Sequence, residues 1–161
     1  YRFYVNISNP EHSLVSVNGD QNMPMIINTP EGAYNSNQNS SWSASGLNPN
    51  FYNDYPDLLD DSFATIGLSN SDIFPNTSHP GILVSDNELN DYFHWTSTNE
   101  TGNTLLDFSE NVGGGWYIPY ATALDGNALN AYPDESGRVF FLQITTSGEI
   151  FGSLNYNILT C

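Results

Sequence analysis

The segment Arg138 to Thr146, RVFFLQITT, constrains this chain most. It is rich in β-branched and aromatic residues, is apolar on both faces, and is too short for a buried helix of ordinary length. It reads as a strand inside a sheet. Ser147-Gly148 predicts a turn into Glu149 to Leu159, where Ile150, Leu154, Tyr156 and Ile158 keep to one face. The expectation is a closing hairpin at the centre of a sheet.

The rest of the chain repeats the pattern of short apolar runs between turn residues. Tyr1 to Ile7 alternates Tyr1, Phe3, Val5 and Ile7 with Arg2, Tyr4 and Asn6. His12 to Asn18 ends in an Asn18-Gly19-Asp20 turn, and Pro24 to Asn28 is a further apolar run. Ser62 to Leu68, Ile82 to Val84, Thr104 to Phe108 and Trp116 to Ala121 are expected strands, the last introduced by a Gly113-Gly114-Gly115 turn. Residues 32 to 54, rich in Asn, Ser and Gly around Trp42, read as a long surface loop. Asp86 to Trp95 is the sole helix candidate. The expected fold is all-β, an antiparallel sandwich of immunoglobulin-like or jelly-roll-like type with long polar loops, in one domain over residues 1–161. Tyr55-Pro56-Asp57 leading to Phe63 is echoed by Tyr132-Pro133-Asp134 leading to Phe140; duplication and coincidence both account for it.

Charge restricts the partners. Eighteen acidic residues stand against Arg2 and Arg138, with no lysine, for a net charge of −16. Such a chain repels phosphate backbones and anionic lipid, so neither nucleic acid nor membrane insertion is expected. Aromatics make up 14% of residues, too many for a disordered polyanion. The first residue is Tyr1 rather than Met, which fits a processed polypeptide. The single cysteine, Cys161, excludes an internal disulfide framework; it could pair with another chain or merely mark the end of an ordered segment.

Several constellations could carry chemistry. Asp54, Asp57, Asp60 and Asp61 form one acidic cluster, and Asp86, Glu88 and Asp91 another. Calcium is the ion such oxygens would take, although no EF-hand spacing is present; a solvated acidic face is the other reading. No cofactor is otherwise required. A glycosidase needs only two such carboxylates, and any acidic protein supplies them. His12, His79 and His94 have no metal-ligand spacing, and no nucleophile motif is present, so no enzyme is expected. Trp42, Trp95, Trp116, Tyr117 and Tyr120 could stack on sugars; Trp116 is expected in the core and Trp42 at the surface. Sequons for N-linked glycans stand at Asn6, Asn39, Asn76 and Asn99, a number that chance alone would give in this composition. Asn39, Asn76 and Asn99 fall in expected loops and Asn6 in a strand.

In order, YRFYVNISNP, LVSVNG, MIINT, YPDLLDDSFATIGL, GGGWY, RVFFLQITTSG and GSLNYNIL resemble an uncharacterised module of large secreted and cell-surface proteins of aquatic microbes. That module has a similar DSW-TIG strand and closes with a similar LLAQLTT-G … G-LN-Q hairpin. Here Phe63 stands in place of its Trp and Asn157 in place of its closing Gln. The resemblance implies an extracellular location and a β-sandwich, and brings no active site. The expected function is a structural subunit of an extracellular filament, appendage or surface layer. Copies would join through their terminal strands at Tyr1, Phe3, Val5, Ile7, Tyr156 and Ile158. The alternative is an adhesion or carbohydrate-binding module, calcium-dependent or not.

Overall fold

A computed structural model of the chain describes residues 1–84, 87–95 and 103–160. Strands β1 (Arg2–Asn6), β2 (Ser13–Gly19), β3 (Met25–Asn28), β4 (Phe63–Ala64), β5 (Gly81–Leu83), β6 (Leu105–Phe108), β7 (Gly114–Tyr117), β8 (Arg138–Gln143), β9 (Phe151–Ser153) and β10 (Asn155–Leu159) alternate with two short helices, α1 (Asn87–Phe93) and α2 (Tyr120–Leu124). Single 3-10 turns occupy Ala44–Gly46, Pro49–Phe51, Pro56–Asp60 and Leu129–Ala131. The strands form three antiparallel sheets with orders β1-β8-β4, β10-β2-β7-β5 and β6-β3-β9.

All three sheets contribute to one core. Val5 and Ile7 of the first segment meet Leu14, Val15 and Val17 of β2, Met25 and Ile27 of β3, Leu106 and Phe108 of β6, Trp116 of β7, and Val139, Phe141 and Leu142 of β8. Trp116 is fully buried, and its indole N–H donates to the Thr65 carbonyl at 2.9 Å, so the one polar atom of a large apolar group is satisfied. Helix α1 adds Leu89, Tyr92 and Phe93, and its Tyr92 hydroxyl shares a hydrogen bond with Thr29 at 3.0 Å. A smaller cluster of Ala44, Leu47, Leu58, Phe63 and Phe140 lies on the other side of β8.

Arg138–Gln143 is a central strand, with β1 along one edge and β4 along the other; the main core packs on Val139, Phe141 and Leu142 and the smaller cluster on Phe140, so it is buried on both faces. The closing hairpin is not formed. At the end of β8, the Ile144 N–H donates to Tyr1 O, the Thr145 N–H to Ser62 Oγ, and Thr145 O accepts from the Tyr34 N–H. Those partners use the backbone that a hairpin ladder would need. Residues 151–153 and 155–159 therefore pair elsewhere, with β3 and with β2.

Four further expectations change. Only Phe63–Ala64 of Ser62 to Leu68 forms a strand; beyond it the Thr65 and Gly67 N–H groups still donate to Phe141 O and Phe140 O, while the Thr65 hydroxyl closes a turn onto Leu68 O at 2.6 Å. The strand through Trp116 stops at Tyr117, and Pro119 starts α2. Residues 32 to 54 are only in part a surface loop: Ala33, Asn35, Ser36, Asn39, Trp42, Ser43, Ala44 and Leu47 are buried, while residues 48–54 stay at the surface. The glycine run is more than a turn, since Gly114 and Gly115 are strand residues pressed against Phe108 and β2. Of the two Tyr-Pro-Asp units, the first opens a 3-10 turn and the second a loop closed by Asp134. They lead into neighbouring strands, where the Phe63 and Phe140 rings meet edge-on at 5.9 Å.

Candidate functional site

The terminal strands β1 and β10 each lie at the edge of a sheet. Among the described residues, no strand pairs with their outer sides. Tyr1 and Ile144 exchange both backbone hydrogen bonds, at 2.8 and 2.9 Å. At the other end the Ile7 N–H donates inward to Gly137 O at 2.8 Å. Since successive peptide groups of an antiparallel strand alternate in direction, Asn6 turns its N–H to the free side. The expected joint residues divide. Tyr1 and Tyr156 are exposed, Phe3 and Ile158 are half-buried against the core, and Val5 and Ile7 are buried within it. Val5 and Ile7 are thus inside the subunit itself, and only the outer edge of the strand is open to a neighbour.

On the outer face of the β1–β8 pair, Tyr4 stands opposite Phe140 and their rings lie 5.4 Å apart. The Arg138 guanidinium sits over Tyr4 at 4.6 Å and that of Arg2 near Phe140 at 5.7 Å. Arg2 Nε donates to Gln143 Oε1 at 2.8 Å, and Gln143 Nε2 donates to the Leu59 and Asp61 carbonyls at 3.1 and 2.7 Å. Arg138 Nε donates to Ser136 Oγ at 2.9 Å. Nothing in the sequence spacing pairs these residues, because the register that joins them spans the whole chain.

The acidic turn faces two ways. Asp54 and Asp60 are exposed and Asp57 is half-buried, whereas Asp61 is fully buried. Asp61 accepts from the Ser36 N–H and from Asn39 Nδ2, both at 2.6 Å. Burial pushes its carboxyl up to about 7, against the pull of these donors. Asp57 accepts from Ser36 Oγ at 2.7 Å and the Tyr34 hydroxyl at 3.1 Å. Burial, and next the Asp57 carboxylate, raise the Tyr34 hydroxyl to about 12. Beside this turn lies a cleft of about 420 Å³ lined by Glu31, Tyr34, Asp57, Asp60 and Thr145 to Ser147. Among the described residues, no three or more His, Cys, Asp or Glu side chains converge in a way that could hold a metal ion. Glu88 and Asp91 are exposed on α1, while Asp86 lies outside the described residues.

Trp42 is buried and belongs to the main core, so it offers no platform to a sugar; the polar composition around it conceals a packed loop. Trp116 is in the core, Trp95 and Tyr117 are half-buried and Tyr120 is exposed. Asn39 is corrected likewise: its amide nitrogen, the atom a glycan would take, is buried against Asp61. Asn6 and Asn76 are exposed. Asn99 and Cys161 lie outside the described residues. Each described histidine stands in its own setting: His12 bonds Asn9, the His79 ring approaches Ser71 O, and His94 is half-buried after α1. No described helix is long and apolar enough to cross a membrane.

What fold and surface define is an all-β chain of three antiparallel sheets with both terminal strands at sheet edges. No family model, no curated protein and no solved structure matches it.

Proposed function

We propose that this chain is a structural subunit of an extracellular filament, appendage or surface layer, joined to its neighbours through its terminal strands. The observation that carries the reading is the position of β1 and β10, each at the edge of a different sheet with an exposed tyrosine beside it. A sheet edge is a row of unpaired backbone donors and acceptors, which proteins either guard or use. Lysine is the common guard, and this chain has none. A neighbour's strand added to such an edge gains main-chain hydrogen bonds without needing a large apolar face. In this reading the three sheets serve as a sandwich-type scaffold, exported from the cell and decorated with glycan at the exposed Asn76.

The test is imaging of native material together with an Asn6→Pro variant. Proline at Asn6 removes a donor from the free side of β1 and leaves the bond from the Ile7 N–H to Gly137 in place. The native protein should form a polymer with a regular repeat, and the variant should remain a folded monomer. Discrete monomers in native material, or a variant that polymerises like its parent, would overturn the reading.

A further inference from the structure

A chain of net charge −16 must solve a problem before its copies can touch. At each point of approach one acidic surface meets another, and the repulsion is long-ranged at low salt. Only two side chains, Arg2 and Arg138, can offset it by permanent positive charge. They are 136 positions apart in sequence, yet the antiparallel register of β1 with β8 places them at opposite ends of one sheet face, with Tyr4 and Phe140 between them. Arg2, Arg138, Tyr1 and Tyr4 are exposed there, beside the free edge of β1. Both guanidinium groups bond neutral oxygens, Gln143 Oε1 and Ser136 Oγ. The Asp134 carboxylate is close to Arg138 and offsets part of its charge, although its Oδ1 takes the Ser136 hydroxyl and the backbone N–H groups of Ser136 and Arg138 rather than the guanidinium. Both side chains are exposed, and the contacts with the rings hold the guanidinium groups in place.

We propose that this Arg2–Tyr4–Arg138 stripe, laid over the buried Phe140 ring, is the docking surface for a cation-free, acidic face of a second copy, and that it makes the joint head-to-tail. The proposal rests on the filament reading above and adds polarity to it. If β1 paired with β1 of another copy, the contact would be two-fold, and four guanidinium groups would be brought together. None of the other edge strands carries lysine or arginine, and the edge strand β6 presents the exposed Asp107, so that acidic edge can approach the stripe with attraction, whereas β10 itself is uncharged. A contact between two different patches of identical subunits is heterologous, and where its rotation does not close it generates an open filament.

The test compares self-association of the parent, Arg138→Gln, Arg138→Lys and the Arg2→Gln/Arg138→Gln double variant by sedimentation, with thermal melts to confirm folding. Arg138 is the main probe, since Arg2 also supports Gln143 and the Asp61 turn. Arg138→Gln should weaken association by roughly tenfold or more, and the double variant should stay monomeric. Arg138→Lys should keep most of the association. Small amounts of the Asn6→Pro variant, blocked on one edge only, should shorten parental filaments by capping one end. A parent that does not associate overturns the filament reading and this proposal together. A parent that assembles alongside an equally competent, folded double variant overturns this proposal alone. A monomeric parent that instead binds dextran sulfate through the two arginines would assign the stripe to an anionic polymer and overturn it as well.

Discussion

The side-chain amide of Asn39 donates to the carboxylate of Asp61 at 2.6 Å, with neither residue open to solvent. A second donor, the Ser36 N–H, takes the other carboxylate oxygen at the same distance. One buried carboxylate thereby fixes two points of a loop that has almost no ladder of its own. The loop reaches back across more than twenty residues to the start of β4. Its buried polar side chains are structural because, Asn35 Oδ1 apart, they find partners in the interior, where an unpaired polar group would be costly.

Acid should stabilise the fold. The folded Asp61 carboxyl is raised to about 7 from an ordinary 3.8, chiefly by burial. Between those values the folded state holds a proton that the unfolded state has lost, so stability falls as pH rises from about 4 to 7. The effect is fully present below the lower value and is at most roughly 4 kcal/mol. Asp57 pushes in the same direction, whereas His79, whose pKa burial lowers, opposes it on the acid side. The clean readout is therefore a difference. Urea melts of the parent should show this fall, and Asp61→Asn should flatten it. An unchanged slope in the variant would assign the pH dependence elsewhere.

Glycans should avoid Asn39. A chain secreted and folded in a eukaryotic host should carry them at Asn76, whose side chain is exposed, and leave the buried Asn39 bare. Glycopeptide mapping decides this. An occupied Asn39 in folded material would contradict its bond to Asp61.

Calcium removal should leave the melting temperature unchanged. A ligand that binds only the folded state raises stability by mass action, so a real site would reveal itself on chelation. Asp61 is committed to two N–H donors, while Asp54 and Asp60 stay at the surface. Melts with and without EDTA check this, and a lower melting temperature in EDTA would restore a calcium site near the acidic turn.

Strand positions were legible because the two-residue period and the turn residues act locally. β8 declared its central place by being apolar on both faces, and α1 appeared where expected. The partnering of strands was not legible. Ser147-Gly148 promises a turn, but whether a hairpin follows depends on Ser62 and Tyr34, which take the Thr145 backbone from far away in sequence. Trp42 was misplaced for a related reason. A stretch rich in Asn and Ser normally lies in water, and distant partners such as the Asp61 and Asp57 carboxylates and the Tyr92 carbonyl allow its polar groups to be buried. The arginine stripe escaped notice because a register between residues near 2 and near 140 leaves no spacing to read.

The last prediction separates close strand packing from simple backbone strain. Gly115 has φ +145°, and a Cβ there would lie 2.2 Å from Val17 O and 2.7 Å from the Asn18 Cα. Those atoms are the backbone of β2, paired with β7 in the sheet, and cannot rotate away. Gly126 has φ +71°, and a Cβ added to it would meet nothing within 4 Å. Gly126→Ala should cost only the left-handed conformation, about 1–2 kcal/mol. Gly115→Ala should cost about 2–4 kcal/mol, because strain and clash act together and the β2–β7 ladder must open. Chemical denaturation of both variants measures the two losses. Equal losses would mean that β2 yields easily and that the approach of the two strands does not constrain the fold.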